Sequence, residues 1–207
     1  MTRFDPLPAD MQALPVDARG IPVPWFVDWP DGKPDFRVVD GRKLSEGWAR
    51  ELCWLCGRRL FAFRAWIIGP VSMINRCTGE PPAHLDCARV ALTRCPFLSN
   101  PGMARSASSG AAPGGALVAG NSGVSAAWVT KGRGGEMFNP GNGTLFRLHE
   151  AHSVEWFHRG ARASDEAVRA AFDAAADGLR EADRRYGPAA MANLERRIAA
   201  CARWLPG

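Results

Sequence analysis

The amino-acid sequence predicts an α+β protein, and three features of the 207-residue chain support this fold class. Two short pairs of cysteine and histidine residues lie near the middle of the chain, within residues 53–56 and 84–87. Stretches rich in aromatic and β-branched residues, which are typical of strands, lie between and after these pairs. Residues 164–207 instead repeat apolar side chains at helical spacing, which predicts helices at that end of the chain.

The composition favours a water-soluble chain that folds around a buried core. Hydrophobic residues make up 46% of the chain and charged residues 23%, which allows a core and argues against wholesale disorder. No stretch approaches the roughly 18 consecutive apolar residues of a membrane-spanning helix, and the first residues lack the apolar segment of a secretory signal. We therefore expect a cytoplasmic protein without a membrane partner, in which six cysteines favour metal binding over disulfides.

The net charge of +5 comes from the central part of the chain. Nine basic and four acidic residues lie between positions 41 and 100, so the two flanks together are neutral. Most of the basic residues are arginines, which the codon usage of a GC-rich genome also produces. A basic surface attracts phosphates, but net charge alone does not identify the partner.

Residues 1–40 are rich in proline, which excludes a long helix and predicts an extended arm. The arm carries the large apolar residues Trp25, Phe26, Val27 and Trp29. Side chains of this kind are usually buried, so we expect the arm to lie across the core. A short helix that follows is predicted to run to about Leu52, with Ser45 as its cap.

Residues 41–98 are predicted to form one metal-binding domain. The stretch 60–74 is broken by a Gly-Pro pair and predicts two strands with a turn between them. Pro81 and Pro82 are predicted to open a helix, because proline suits the first helical turn, and Pro96 to end it.

The two Cys/His pairs have the spacing of metal ligands. Two residues separate Cys53 from Cys56, so the chain can curl until both sulfurs face one point, and Gly57 suits the left-handed end of this turn. His84 and Cys87 are three residues apart, which places them on one face of the predicted helix. Four such ligands are typical of a structural Zn2+ site without an open position for substrate.

The order of knuckle, two strands and helix is that of a treble-clef-like finger. The alternatives are buried cysteines without a metal, or an iron–sulfur cluster, in which His84 would be unusual. Cys77 is an alternative ligand if the helix begins elsewhere. Cys95 and Cys201 fall on apolar stripes and are predicted to lie in the core.

The second half of the chain is predicted to hold a linker, a β segment and a helical hairpin. Gly, Ser, Ala and Pro dominate residues 99–123, which predicts a flexible linker. In residues 124–160 the stretches VSAAWVTK, TLFRLH and SVEWFHR predict three strands, with a turn at Asn142-Gly143. In residues 161–207, a cap at Ser164 and a break at Gly187-Pro188 predict an antiparallel hairpin.

Six motifs spread over most of the chain carry a family resemblance: LPVDARGIPVPWFVDWPDGKPDFRV, CWLCGRRL, IGP, PPAHLDCA, CPFL and VEWFHRGARAS. They resemble a family of small proteins encoded by phages, prophages and other mobile elements of GC-rich bacteria. Val71 departs from the Met that relatives suggest after the Gly-Pro turn. The resemblance implies a shared zinc site and a genomic setting, and it implies no activity.

The sequence offers no convincing catalytic constellation. A treble-clef nuclease needs a histidine base between the ligand pairs, and residues 57–83 contain none. A zinc deaminase needs the ligand pairs in the opposite order. His149, His152 and His158 lie near two glutamates, but along strands they are expected to alternate between faces.

We therefore expect a non-catalytic, zinc-stabilised binding protein of a phage or mobile element, with nucleic acid as the first candidate partner. Basic and aromatic residues alternate around the knuckle and can bind phosphates and stack on bases. The candidate contact residues are Arg58, Arg59, Arg64, Arg76, Trp54 and Trp66, interleaved with Phe61 and Phe63. The alternatives are that these aromatic residues form the core, or that a surface rich in Trp and Arg binds a host or defence protein.

Overall fold

The computed structural model describes residues 6–100, 122–141 and 143–207. Within these ranges the chain forms six α-helices and nine β-strands, and the strands make three small antiparallel sheets. This mixture confirms the predicted α+β class. Residues 1–5 of the predicted arm, 101–121 of the predicted linker and Asn142 of the predicted turn lie outside the described residues.

Helices and strands alternate up to the middle of the chain, and its last part is helical. The helices are α1 (Gly41–Arg50), α2 (Pro70–Asn75), α3 (Leu85–Arg94), α4 (Pro96–Ser99), α5 (Asp165–Asp183) and α6 (Pro188–Cys201). The strands are β1 (Val27–Asp28), β2 (Asp35–Val39), β3 (Phe63–Ile68), β4 (Cys77–Thr78), β5 (Val124–Lys131), β6 (Gly135–Phe138), β7 (Leu145–Leu148), β8 (Ser153–His158) and β9 (Ala161–Arg162).

A four-stranded sheet in the order β3-β5-β8-β9 forms the centre of the fold. Trp66 of β3 lies opposite Trp128 of β5, and Trp128 lies opposite Val154 of β8. Because side chains alternate along a strand, these three residues share one face and their sequence neighbours share the other. The sheet thus joins a strand of the predicted metal-binding segment to strands of the predicted β segment.

The C-terminal helices cover one face of this sheet. The core there is rich in large side chains, which include Trp66, Trp128, Trp156, Phe146, Val168, Phe172, Leu179 and Leu194. Arg180 of α5 pairs with Glu195 of α6, and Arg169 near the start of α5 bonds to the carbonyl of Pro206, so the two helices run antiparallel. Ser164 caps α5 by accepting from the Ala167 N–H, as predicted.

Helix α3 and the two Cys/His pairs lie on the opposite face. Ala65, Ala127, Val129 and Phe157 of the sheet pack there against Ala88 and Leu92 of α3 and against the cysteines. Buried aromatic side chains are fewer here than in the first core, and three cysteines lie among the buried residues. The sheet therefore separates two cores of different composition.

The proline-rich arm packs across the core, as the sequence predicted, and it does so on the side that holds the cysteines. Val23 and Val27 are fully buried. The ring of Phe26 stacks flat on Trp54, with 3.7 Å between the ring centroids and 7° between the planes. The Trp25 N–H donates to the Leu55 carbonyl at 2.8 Å. These contacts fix the arm on the loop that carries the first two cysteines.

Three local predictions are wrong. Asp40, and not Ser45, caps α1, because its carboxylate accepts from the N–H groups of Arg42 and Lys43, whereas the Ser45 hydroxyl lies inside the helix and donates to the Gly41 carbonyl. Residues 60–74 form one strand followed by a helix, since Pro70 occupies the first turn of α2.

The third wrong prediction concerns the start of α3. Pro81 and Pro82 precede this helix instead of opening it, and α3 begins at Leu85 after His84. The Pro82 carbonyl accepts from the Trp54 N–H at 3.1 Å, which ties this segment to the cysteine loop. As predicted, α3 ends before Pro96, although the short α4 begins there.

The three strands predicted after the linker are confirmed as β5, β7 and β8. Strand β6 was not predicted, and it pairs with β7 in a second sheet that also includes β4. None of the helices in the described ranges combines the length and apolar character needed to cross a bilayer.

Candidate metal centre

Backbone hydrogen bonds shape the loop from Cys53 to Arg58 into a tight knuckle. The Gly57 N–H donates to the Cys53 carbonyl at 2.8 Å, and the Cys53 N–H donates to the Arg58 carbonyl at 2.7 Å. Gly57 has a φ of +73°, a conformation that glycine adopts without strain. This geometry turns both cysteine side chains toward the interior, where Cys53 is fully buried and Cys56 is 7% exposed.

The second pair lies at the start of α3. His84 is the residue before the first helical turn, and Cys87 is inside that turn. An isolated bridge between Ala65 and Ala83 holds the chain against β3 just before His84. The His84 N–H donates to the Cys53 sulfur at 3.4 Å. The pair therefore meets the knuckle although the helix starts later than predicted.

Cys53, Cys56, His84 and Cys87 form a buried Cys3His cluster whose ligand atoms all lie within 4.8 Å of one another. His84 Nδ1 is 3.4 Å from the Cys56 sulfur and 3.9 Å from the Cys87 sulfur. A tetrahedral zinc ion with usual bond lengths would place neighbouring ligand atoms about 3.5 to 3.8 Å apart. The cluster therefore has the dimensions and the donor set to hold a metal ion.

The three thiols lie too close together to ionise independently. Burial raises the pKa of Cys53, but hydrogen bonds with Cys56 and Cys87 outweigh it and hold that pKa well below its ordinary value. The pKa of Cys87 is raised, chiefly by its hydrogen bond with Cys53. A cation displaces protons that are shared in this way, because a coordinated thiol is deprotonated.

A hydrogen bond outside the cluster sets the orientation of the His84 ring. Nε2 lies 2.9 Å from the Arg59 carbonyl oxygen. A carbonyl oxygen only accepts, so Nε2 carries a hydrogen and Nδ1 is the ring nitrogen that faces the sulfurs. Metal-binding histidines usually have such a partner on the second ring nitrogen.

Two further side chains lie at the rim of the cluster: Asp10, which the sequence does not indicate, and Phe61, which belongs to the aromatic residues interleaved with the contact candidates. The Asp10 carboxylate lies 3.9 Å from His84 Nδ1. The Phe61 ring lies 5.0 Å from the His84 ring and is 71% exposed. No short-range sequence signal marks Asp10, because it reaches the cluster through the fold of the arm.

The predicted contact residues divide into buried and exposed groups. Trp66 is fully buried, and Trp54 and Arg64 are each 5% exposed. The Arg64 guanidinium pairs with Glu51 at 2.8 Å. For these three side chains the burial favours a role in the core over contact with a partner.

The remaining three contact candidates reach the surface to different degrees. Arg58 and Arg59 are exposed beside the knuckle. Arg76 is half-buried, lies 4.4 Å above the Trp128 ring and pairs with Glu150. The structure therefore brings Arg58 and Arg59 together and leaves Arg76 in a separate cluster.

The other cysteines and histidines do not join the centre. Cys77 lies on β4 opposite Arg147, and Cys201 is buried among the C-terminal helices as predicted. His149 lies near Glu136, whereas His152 packs against Phe63.

No protein-family model matches the chain, and no curated protein or solved structure shows significant similarity to it.

Proposed function

We propose that the Cys3His cluster binds one structural Zn2+ ion within a treble-clef-like finger, and that the protein is a non-catalytic, nucleic-acid-binding protein. The motif resemblance noted in the sequence suggests that it serves a phage or mobile element. The observation that carries the proposal is the closed, buried set of four ligands directly beneath an exposed basic and aromatic surface.

The donor set supports zinc over other metals. Three thiolates and one imidazole are soft or borderline ligands and are common in structural zinc sites. Iron–sulfur clusters favour cysteine at all positions, which His84 does not provide. All four positions of a tetrahedron would be filled by protein, so a substrate would find no open site on the ion.

The order of elements supports a treble-clef-like arrangement. The knuckle at 53–57 is followed by β3, and the bridge from Ala65 to Ala83 supplies the second side of a short hairpin. Helix α3 then carries Cys87. Helix α2 and strand β4 are inserted between the two sides of this hairpin.

The surface above the cluster supports a nucleic acid as the partner. Arg58, Arg59 and Phe61 are exposed within four residues of one another. Cationic side chains bind phosphates and aromatic rings stack on bases, so this combination fits both parts of a nucleotide.

The alternative of a protein partner bound through tryptophans has less support. All eight tryptophans lie in the described residues, and Trp29, at 36%, is the one with an exposed side chain. Interface hot spots rely on clustered aromatic residues, and the remaining tryptophans are half-buried or buried.

Metal analysis of the purified protein tests the zinc proposal. We expect one zinc ion per chain, and loss of that ion in Cys87→Ser. Cys95→Ser is the matched control, because Cys95 follows the same helix and lies outside the cluster. Purified protein that holds no transition metal, or Cys87→Ser protein that keeps its zinc, would contradict the assignment.

A further inference from the structure

We infer that the basic and aromatic surface beside the metal centre binds single-stranded nucleic acid, with unpaired bases stacked on Phe61 and Phe63. This surface, named here the stacking surface, consists of Arg58, Arg59, Phe61, Phe63 and Lys131. The inference rests on the proposed function and specifies which form of nucleic acid the protein binds and which side chains it uses.

The two phenylalanines are unusually exposed for their size. Phe61 is 71% exposed and Phe63 is 44% exposed, while Leu60 and Ala65 next to them are buried. An apolar ring in water is unfavourable unless a ligand covers it. Two such rings within three residues therefore mark a place where a flat apolar group binds.

Each ring contacts an imidazole in a tilted arrangement. Phe61 packs at 5.0 Å on His84, whose orientation is set by the metal cluster and the Arg59 carbonyl. Phe63 packs at 5.0 Å on His152. Rings that are held in this way lose little conformational freedom when a base stacks on their outer faces.

Three cations flank the rings. Lys131 lies directly opposite Phe63 in the pairing of β3 with β5, so both side chains share one face of the sheet. Lys131, Arg58 and Arg59 are exposed. Among the described residues, neither Arg58 nor Lys131 has an ion-pair partner, so their charges remain available to phosphates.

The exposed rings favour a single strand over a duplex. In a duplex the faces of each base are covered by its neighbours, so an aromatic side chain stacks fully only on unpaired bases. Duplex recognition usually inserts a basic helix into the major groove. Here several helical arginines are neutralised by carboxylates, as in the pairs Arg50–Glu46, Arg89–Glu155 and Arg180–Glu195.

The test uses the zinc-loaded full chain and labelled oligonucleotides of one sequence. The oligonucleotides are supplied as single-stranded DNA, single-stranded RNA and duplex DNA, and the affinity for each is measured. Fluorescence anisotropy should show at least about tenfold tighter binding of the single strands than of the duplex. Phe61→Ala and Phe63→Ala should each weaken single-strand binding by about 5-fold to 150-fold. Phe61→Leu should also weaken it, because leucine keeps apolar bulk but has no π-face.

Two matched controls separate stacking from general effects. Phe36→Leu changes an exposed phenylalanine on β2 and should leave binding unchanged. Arg58→Gln should weaken binding and lower the salt dependence by about 0.7 per lost phosphate contact, whereas Arg196→Gln, on an exposed position of α6, should do neither.

The outcomes distinguish this inference from the proposed function. Equal or tighter binding of the duplex, or full single-strand affinity in the Phe61 and Phe63 variants, would overturn the inference while nucleic-acid binding stands. Failure of all three nucleic acids to bind at low salt would overturn both. Salt-insensitive binding of a protein that Phe61→Ala abolishes would assign the surface to a protein partner and would also overturn the inference.

Discussion

The two faces of the central sheet are packed by different kinds of side chain. Under α5 and α6 the core contains large rings and long aliphatic side chains, including Trp128, Phe172 and Leu179. On the opposite face the sheet contributes Ala65, Ala127, Val129 and Phe157, which pack against α3, three cysteines, the apolar residues of the knuckle and the arm. The hydrophobic effect therefore stabilises both faces, and the proposed zinc ion would add bonds on the second face that the first face lacks.

Substitution of a proposed metal ligand should have the largest effect on the difference between the two faces. In Cys87→Ser we expect the face that carries the knuckle and α3, named here the metal-side face, to lose its structure. Metal-binding free energies of about 10 kcal/mol or more contribute directly to folding in small zinc sites. Hydrogen exchange should show lost protection around the knuckle and α3, while α5 and α6 keep theirs. Cys95→Ser should leave both faces protected, and uniform loss over the whole chain would show that the faces are not independent.

Truncation of a side chain in the core under α5 and α6 should destabilise the protein without loss of zinc. Phe172 is 4% exposed among the side chains of the helical face. Phe172→Ala should lower the free energy of unfolding by about 3–5 kcal/mol through lost apolar contact and a cavity. Urea denaturation measures this loss, and the zinc content of the folded variant should stay at the wild-type level. A variant that loses zinc in proportion to its stability would contradict the separation of the two cores.

The difference between local and long-range contacts explains how much of the structure the sequence predicts. The ligand spacing, the C-terminal helices and their cap are local patterns, so the Cys3His cluster and the helical hairpin could be predicted. The pairing of β3 with β5 joins residues more than 50 positions apart and leaves no local signal. Without that pairing the faces of β3 cannot be assigned, and for this reason the sequence left Trp66 open as a contact residue or a core residue, whereas the structure buries it fully.

The contact between the arm and the knuckle lies on the metal-side face and involves only a few residues. A Cβ atom on Gly57 would lie 2.7 Å from the Trp25 ring, and the φ of +73° adds strain for any other residue. Gly57→Ala should therefore lower the free energy of unfolding by more than the roughly 1–2 kcal/mol expected from backbone strain alone. Gly132→Ala is the matched control, because Gly132 has a φ of +66° with open space around it. Equal losses in the two variants, measured by thermal unfolding, would show that the arm contact contributes nothing.

The smallest expected effect concerns the ion pair that attaches α3 to the sheet. Arg89 of α3 donates to both carboxylate oxygens of Glu155 on β8, and Arg162 donates to the same carboxylate. The hydrogen bond from Arg89 lowers the pKa of Glu155 below its ordinary value of about 4.3, although burial opposes the shift.

A carboxyl group with a lowered pKa in the folded state stabilises the protein above its ordinary pKa. That contribution is lost as the pH falls through the lowered value, because the folded protein must then bind a proton that the unfolded chain binds more readily. Glu155→Gln should thus lower the free energy of unfolding by up to about 1 kcal/mol at pH 7, and the difference from wild type should shrink below pH 4. Glu195→Gln provides the comparison on the helical face, where the pair with Arg180 joins two helices and leaves α3 untouched. If hydrogen exchange of α3 responds equally to the two substitutions, the Glu155 pair is not what attaches this helix to the sheet.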